Sequence, residues 1–319
     1  MKLSPFARLA FAAALTATPS AATEVAPGVE VISGTFVQGT QPDGNTVVWT
    51  APEGLIVMDT GRHPEHTQRI VDFARSKGAS VKAVLNSHWH LDHLGGNPRL
   101  REAFPGVRVY AAPTLDGAMK GFLASYRAYL EEAVKKGDAE AQKPLRAELS
   151  ILDAGSALAP DEPVTSSGPR TIAGKQLTIG LESNAVTAGD LWVLDPATGV
   201  LAAGDLVTLP APLFDTACPG GWKAALDHLA QADFKVLVPG HGQAMTRADF
   251  ETYRRAFAAL LACAASEKPQ EECIGGWLAD LGKLLPEVEH AFTRALLDYY
   301  LDNHMRGDPE RTAKLCSPG

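Results

Sequence analysis

The chain has 319 residues, 45% of them hydrophobic, which is enough to bury one large core together with an appended element. Its formal net charge is −8 and its lysines and arginines are dispersed, which argues against a surface for nucleic acids or anionic membranes. These properties favour a small molecule as the substrate.

The first 22 residues have the pattern of a secretory signal peptide. Lys2 and Arg8 precede a short apolar run over 9–15, and small residues lead up to Ala22, where we expect cleavage. The apolar run is well short of the roughly 20 residues that a membrane span requires. We therefore predict an exported protein, periplasmic if the source is Gram-negative, that is not inserted in a membrane after cleavage.

Between residues 29 and 205, short apolar runs alternate with helical patterns. The runs are rich in Val, Ile and Leu and are bounded by Gly, Pro, Asp or Asn, which favours strands. The predicted strands are 28–35, 45–50, 54–59, 83–86, 108–111, 176–180, 191–195, 200–203 and 235–238. The segment 195–199, Asp-Pro-Ala-Thr-Gly, predicts a hairpin turn between two of them.

Helical patterns separate these strands over 67–77, 115–136 and 221–230. The strands come first as hairpin-like pairs and later alternate with helices. This order predicts an α+β fold of two sheets with helices outside, an αβ/βα layered domain over residues 23–245.

Residues 246–319 are predicted to form a C-terminal helical extension. Thr246 and Asp249 have the spacing of a helix-capping pair, and apolar residues follow at helical spacing. Further helices are predicted over 276–284 and 286–305. The aromatic residues within 292–300 are more typical of a packed core than of a cofactor site.

The chain has four cysteines, at positions 218, 263, 273 and 316, and none lies in a CxxC motif. An even number without CxxC fits an oxidising compartment better than a zinc ribbon or a thioredoxin-like site. Cys263 and Cys273 are close enough in sequence to pair as a disulfide. Four cysteines allow three arrangements, and buried free thiols are the alternative.

Three histidines and an aspartate lie within six residues: His88, His90, Asp92 and His93. Such a cluster is unfavourable in a core, because each buried imidazole needs a hydrogen-bond partner. Imidazole nitrogens and carboxylate oxygens are usual zinc ligands, at about 2.0–2.2 Å. The segment therefore predicts a metal site, most simply for Zn²⁺.

Two residues further along the chain can complete this site. Asp205 and His241 each follow a strand-like run, so each lies where a loop begins at a strand end, a frequent position for functional residues. His63 and His66 are weaker candidates, because short loops often carry exposed histidines.

The string His88-x-His90-x-Asp92-His93, with Asp59 upstream and Gly204-Asp205 and Pro239-Gly240-His241-Gly242 downstream, resembles the metallo-β-lactamase-fold superfamily. The resemblance runs in order from about residue 29 to residue 242. It implies a four-layer αβ/βα sandwich with up to two zinc ions at the sheet edge.

The resemblance also implies roles for individual residues. His88 and His90 would hold the first metal, Asp205 would bridge, and the second metal would be held by Asp92, His93 and His241. Asp59 is similar to a buried acid that supports the motif loop without being a ligand.

One departure from the family pattern concerns the first metal. Members usually carry a His-Thr-x-Gly-Asp run that supplies its third histidine, but this chain has Val186 at that place. Valine cannot ligate, which leaves water or Asn184 to fill in. We therefore expect one tightly held zinc at the second position and a weaker or empty first position.

The leading hypothesis is a zinc-dependent hydrolase of a small ester, lactone, thioester or amide. Zinc lowers the pKa of a bound water toward about 7 and polarises the scissile carbonyl, while Asp92 would orient the nucleophile and help to move its proton. Phe214, Asp215 and Trp222 are expected to line the pocket mouth.

Two alternatives stay open. The first is a β-lactamase, which the fold allows but does not imply. The second is a non-hydrolytic metal-binding accessory protein with a periplasmic redox partner, favoured by the lost ligand and the four cysteines. More loosely, the chain resembles exported metallohydrolases found alongside quinoprotein dehydrogenases and sulfur-oxidation systems.

Overall fold

Two β-sheets packed face to face form the centre of the structure, a computed structural model that describes residues 22–35 and 41–317. The predicted signal peptide, apart from Ala22, lies outside the described residues. Apolar side chains from both sheets, including Trp49, Ile56, Ile179 and Val193, fill the space between them.

The first sheet has seven strands in sequential order. They are β1 (Thr23–Ala26), β2 (Val29–Ile32), β3 (Thr46–Ala51), β4 (Gly54–Met58), β5 (Val81–Leu85), β6 (Arg108–Ala111) and β7 (Glu162–Pro163). Neighbours from β1 to β4 pair antiparallel, whereas β4 to β7 pair parallel, since helices connect the later strands.

The second sheet has six strands in the order β13-β12-β11-β10-β9-β8. They are β8 (Gly168–Ile172), β9 (Lys175–Glu182), β10 (Asp190–Asp195), β11 (Val200–Thr208), β12 (Val236–His241) and β13 (Met245–Thr246). Only the β11–β12 pair is parallel among these described strands. The predicted turn at 195–199 joins β10 to β11.

Helices cover the outer faces of both sheets and complete the four layers. On the first sheet, α1 (Pro64–Ser76) buries Ile70 and Val71 against the strands. The further helices up to the second sheet are α2 (Leu91–Leu94), α3 (Asn97–Ala103), α4 (Leu115–Lys120), α5 (Phe122–Lys136) and α6 (Ala139–Asp153). On the second sheet, α7 (Pro219–Leu229) buries Trp222 and Leu226. The predicted αβ/βα sandwich is therefore confirmed.

The nine predicted strands are all present, with boundaries that differ by a few residues. The predicted helix over 115–136 is interrupted at Gly121, where α4 ends and α5 begins. Helix α6 was not predicted, because Pro144 interrupts its pattern; it nevertheless forms behind the Asp138 cap, whose side chain accepts from the amides of Glu140 and Ala141.

The C-terminal helices are α8 (Arg247–Ala264), α9 (Gln270–Leu281), α10 (His290–Tyr300) and α11 (Pro309–Leu315). Helix α8 begins at a reciprocal capping box between Thr246 and Asp249, as the sequence predicts. Their apolar side chains, among them Tyr300, belong to the same buried cluster as Trp222 of α7. The extension therefore continues the core of the second sheet. No helix in the described part of the chain is long and apolar enough to cross a bilayer.

All four cysteines form disulfides. Among the arrangements left open, the bond between the neighbours Cys263 and Cys273 is present, and the other bond, Cys218–Cys316, joins the start of α7 to the end of α11. The bonds link residues 10 and 98 positions apart. The longer link closes the extension onto the second sheet.

Removal of the two disulfides is expected to have unequal effects. A disulfide lowers the entropy of the unfolded chain, and the effect grows with the length of the closed loop. This predicts that the Cys218–Cys316 bond contributes about 4.7 kcal/mol to the free energy of unfolding and the Cys263–Cys273 bond about 3 kcal/mol. The Cys218→Ser/Cys316→Ser protein should therefore unfold at a lower temperature and a lower denaturant concentration than Cys263→Ser/Cys273→Ser. Equal midpoints for the two variants in calorimetry and urea titration would contradict this order.

Candidate metal centre

The residues of the predicted metal site come together at one edge of the sandwich, although they belong to both sheets. His88 and His90 lie in the loop after β5, and Asp92 and His93 lie on the short helix α2. Asp205 lies within β11, which continues to Thr208 and so does not end at Asp205 as expected; His241 ends β12. A register irregularity and the left-handed φ of 52° at Gly204 occur just before Asp205.

The six side chains form two groups of three potential ligands. One group is His88, His90 and Asp205, and the other is Asp92, His93 and His241; within each group the ligand atoms lie within 4.8 Å of one another. His90 is partly exposed, and the other five are buried. The grouping is the one that the family resemblance implies.

Asp205, a member of the first group, also faces the second. Its Oδ1 lies 3.2 Å from His93 Nε2 and 3.5 Å from His241 Nε2, while its Oδ2 lies 3.9 Å from His88 Nε2. The two carboxylate oxygens thus face different groups, a geometry that suits a bridging ligand. Asp92 Oδ2 lies 3.1 Å from His241 Nε2 and closes the second group.

Several atoms at the centre of the site are buried without a hydrogen-bond partner among the described residues. They are His88 Nε2, His93 Nε2 and Asp205 Oδ1. Burying such groups unpaired costs free energy, so these atoms need a common partner. A divalent cation satisfies imidazole and carboxylate donors together, and this donor set fits zinc.

Contacts on the far side of the rings orient the free nitrogens inward. Ser87 Oγ donates to Asp59 Oδ2 at 2.7 Å and so can accept from His88 Nδ1 at 2.9 Å. His93 Nδ1 lies 2.8 Å from Asp59 Oδ2 and can donate to it. Both rings then have Nε2 available toward the centre.

Asp59 supports the motif loop and is not among the grouped ligands. Its Oδ1 accepts the Ser87 amide at 2.7 Å, and its backbone has a left-handed φ of 64°. The carboxylate is 2% exposed, so these short bonds fix both the loop and the His93 ring. This position fits the supporting role that the resemblance implies.

The carboxylates and histidines shift each other's protonation equilibria. Burial lowers the pKa of His93, but the carboxylates of Asp205, Asp59 and Asp92 outweigh burial and hold that pKa above its ordinary value. Burial raises the pKa of Asp205, and the His93 and His241 rings reverse this effect and hold it below its ordinary value. Burial lowers the pKa of His90 to about 4, so that ring is neutral near pH 7. A proton on His93 therefore competes with a metal for this site.

Arg62 is a site residue that the sequence analysis missed. Its Nη2 lies 3.5 Å from Asp92 Oδ1, and its Nη1 pairs with Glu148 of α6. Tyr126 of α5 also donates to Glu148, at 3.0 Å. Helices α5 and α6 thus hold a buried cation beside a predicted ligand, through partners too distant in sequence to be recognised.

Val186 is fully buried and belongs to the apolar core. The position at which the family pattern implies a third histidine therefore offers no side-chain ligand. The backbone carbonyl of Val186 accepts a hydrogen bond from Thr216 Oγ1 at 3.0 Å, and Thr216 Oγ1 lies 2.8 Å from His90 Nε2. Thr216 is a second residue that the sequence analysis missed.

The expectation for the pocket mouth is wrong for the two aromatic residues. Phe214 and Trp222 are 1% and 0% exposed, because side chains of the C-terminal helices cover them. The two rings also pack on each other. Asp215 accepts a hydrogen bond from Tyr300 Oη and is partly exposed. His63 and His66 pair with Asp43 and Thr46 and are in neither ligand group.

Residues 39–241 match the sequence pattern of the Metallo-beta-lactamase superfamily, and the match spans more than half of the chain. The protein therefore belongs to the metallo-beta-lactamase superfamily. A metallo-beta-lactamase from Pontibacter korlensis has a similar structure, with a TM-score of 0.55 and 23% identity over 74% of this chain and 98% of that one. At this identity the likeness supports the fold.

Curated relatives match parts of the chain. A linear primary-alkylsulfatase from Pseudomonas sp. (strain ATCC 19151) is 28% identical over 214 residues, which are 60% of this chain and 40% of the relative. A hydroxyacylglutathione hydrolase from Xylella fastidiosa (strain M12) is 41% identical over 70 residues, 21% of this chain and 25% of the relative. The chain thus spans less than half the length of either relative.

Replacement of Asp59 by asparagine should weaken metal binding without unfolding the protein. The amide keeps the shape but loses the negative charge that orients His93, and loss of such a partner typically weakens metal affinity by about 10- to 100-fold. Chelator competition on purified protein measures this change. Asp195→Asn is the matched control, because Asp195 is buried in the 195–199 turn, where it binds Lys175 and Thr198. An Asp59→Asn affinity equal to that of the control would contradict the expectation.

Proposed function

We propose that this protein is a zinc-dependent hydrolase of a small ester, lactone, thioester or amide. The observation that supports this most directly is the set of buried donor atoms of His88, His93 and Asp205 without hydrogen bonds among the described residues, with Asp205 within 3.9 Å of both histidines. The alkylsulfatase and hydroxyacylglutathione hydrolase relatives support hydrolysis as the reaction class.

In this proposal His88 and His90 would hold one metal, Asp92, His93 and His241 would hold the other, and Asp205 would contribute to both. A bound zinc would supply a nucleophilic water near neutral pH and polarise the scissile bond. Asp92 turns Oδ2 toward His241 and Oδ1 toward Arg62, so the carboxylate is fixed at both oxygens. Asp92 would orient the nucleophile and help to move its proton.

Export to the periplasm belongs to the same proposal. Two disulfides in one chain are typical of oxidising compartments, and they agree with the signal-like first 22 residues.

The second candidate function is a non-hydrolytic metal-binding accessory protein of a periplasmic redox system. The specific observation in its favour is Val186, which removes one ligand from the first group. The cysteines do not add to it, because all four are engaged in disulfides. β-Lactamase activity would be one form of the first candidate function, with a β-lactam as the amide substrate.

The two metal positions are expected to differ in affinity. Apart from Asp205, the second group has three potential ligands and the first has two, His88 and His90. We therefore expect one zinc ion per chain to stay bound through extensive dialysis. Metal analysis by mass spectrometry measures the ratio. Two zinc ions retained per chain after dialysis would refute the unequal positions.

Replacement of His93 by alanine should abolish hydrolysis. This change removes a central ligand and leaves Asp205 without its nearest imidazole, so we expect at least a 100-fold loss, on the order of the effect of losing a metal-orienting group. The assay is a panel of esters, lactones, thioesters, alkyl sulfates and the β-lactam nitrocefin.

The control for this assay is His228→Ala, since the His228 side chain is 60% exposed and binds Glu182 on the second sheet. That variant should keep wild-type turnover. If the zinc-loaded wild type turns over no member of the panel, the accessory function is favoured. Turnover of nitrocefin alone would favour the β-lactamase.

A further inference from the structure

Thr216 connects the first ligand group to the backbone at Val186. The threonine is 7% exposed, its hydroxyl donates to the Val186 carbonyl at 3.0 Å, and the same oxygen lies 2.8 Å from His90 Nε2. The hydroxyl has a single hydrogen, and it uses this hydrogen in the bond to the Val186 carbonyl. Thr216 Oγ1 must therefore accept from His90, and Nε2 is the nitrogen that carries the hydrogen.

This contact determines which nitrogen of His90 can bind a metal. With hydrogen on Nε2, the lone pair lies on Nδ1. His88 and His93 are fixed in the opposite sense, through contacts of their Nδ1 atoms with Ser87 and Asp59. Each of the three rings thus has an oxygen partner on one nitrogen, but only the partner of His90 comes from a loop of the second sheet.

The C-terminal extension holds the segment that carries Thr216. Trp277 Nε1 donates to the Pro210 carbonyl at 3.0 Å, and Arg311 Nη2 donates to the Asp215 carbonyl at 2.6 Å. Tyr300 Oη donates to Asp215 Oδ2 at 2.5 Å, and the Cys218–Cys316 disulfide fixes the end of the segment. Four contacts from the extension therefore fall on residues 210–218.

We propose that Thr216 is a positioning residue for the first metal position and that the C-terminal extension holds it against His90. Thr216 keeps hydrogen on His90 Nε2 and offers the Nδ1 lone pair to the metal. This matters most where Val186 has removed a ligand, because the remaining two histidines must be well oriented to bind at all. The inference rests on the proposed metal centre but requires no knowledge of the substrate.

The test compares Thr216→Val, which keeps the shape and removes the hydroxyl, with Thr216→Ser, which restores it. Nitrogen-15 NMR of histidine-labelled, metal-free protein reads the tautomer of His90, whose signal a His90→Asn variant assigns. Cobalt(II) titration, followed by visible absorption, reads the affinity of both positions. Thr293→Val is the matched control, because Thr293 is fully buried and its hydroxyl binds a carbonyl within the extension, at Glu289.

We expect Thr216→Val to lose the single Nε2–H tautomer of His90 and to bind cobalt at the first position about 10- to 100-fold more weakly, with the second position unchanged. Thr216→Ser and Thr293→Val should behave like the wild type. A wild-type tautomer and affinity in Thr216→Val would overturn the proposal, and so would a wild-type protein that binds no second cobalt at millimolar concentration.

The role of the extension is tested by Cys218→Ser/Cys316→Ser. This protein should show the same tautomer change to a smaller extent, and a wild-type His90 signal in it would overturn that role. None of these measurements involves turnover. Failure of the hydrolase proposal would therefore appear as an inactive enzyme with an intact His90 response, which distinguishes the two failures.

Discussion

The carboxylate of Asp205 is 2% exposed and lies within 3.5 Å of imidazole nitrogens of both His93 and His241. A buried carboxylate needs compensation of its charge, and one buried oxygen of this residue has no hydrogen-bond partner within the described chain. The neighbouring groups are arranged around this requirement. The carboxylates hold the pKa of His93 above its ordinary value, so a proton on that ring would compensate the charge in the absence of metal, and a bound cation would take its place. Folding of the site and metal binding would therefore be coupled.

The site depends on the packing of the two sheets, because each sheet contributes part of it. His88, His90, Asp92 and His93 follow the first sheet, whereas Asp205 and His241 belong to the second. Asn45 connects the two sheets. Its backbone amide donates to the Gly240 carbonyl at 2.7 Å, and its side-chain Nδ2 donates to the Pro239 and Gly242 carbonyls at 2.9 and 2.8 Å. On the other side, the Leu191 amide donates to the Ser87 carbonyl at 2.7 Å. These bonds set the distance between the two halves of the ligand set.

The site residues that the sequence predicts are those with a recognisable pattern in the neighbouring residues. His88, His90, Asp92 and His93 lie within six residues, and the strand runs that lead to Asp205 and His241 are strongly apolar. Thr216 gave no such signal, because its partner His90 is 126 residues away and a single threonine in a loop has no pattern. The same holds for Arg62 and Glu148, which are 86 residues apart.

The error at Phe214 and Trp222 has a related cause. Aromatic residues near a predicted ligand favour a pocket, but the helices that cover these two come from the last quarter of the chain, and no local pattern shows where those helices dock. Helix α6 was missed for a different reason: Pro144 is a helix breaker by propensity, whereas the Asp138 cap and the packing of Leu152 outweigh it.

The loop around Val186 is held by contacts that do not involve the valine side chain. Asp190 binds the Thr187 amide and hydroxyl at 3.0–3.1 Å, and these bonds hold the turn whatever side chain stands at 186. The backbone carbonyl of Val186 therefore stays beside the site and accepts from Thr216. The valine side chain, in turn, extends the apolar core that the C-terminal helices share. Val186 thus offers no ligand to the proposed metal site and instead contributes its side chain to the core shared with the C-terminal helices, which also contact the loop that carries Thr216.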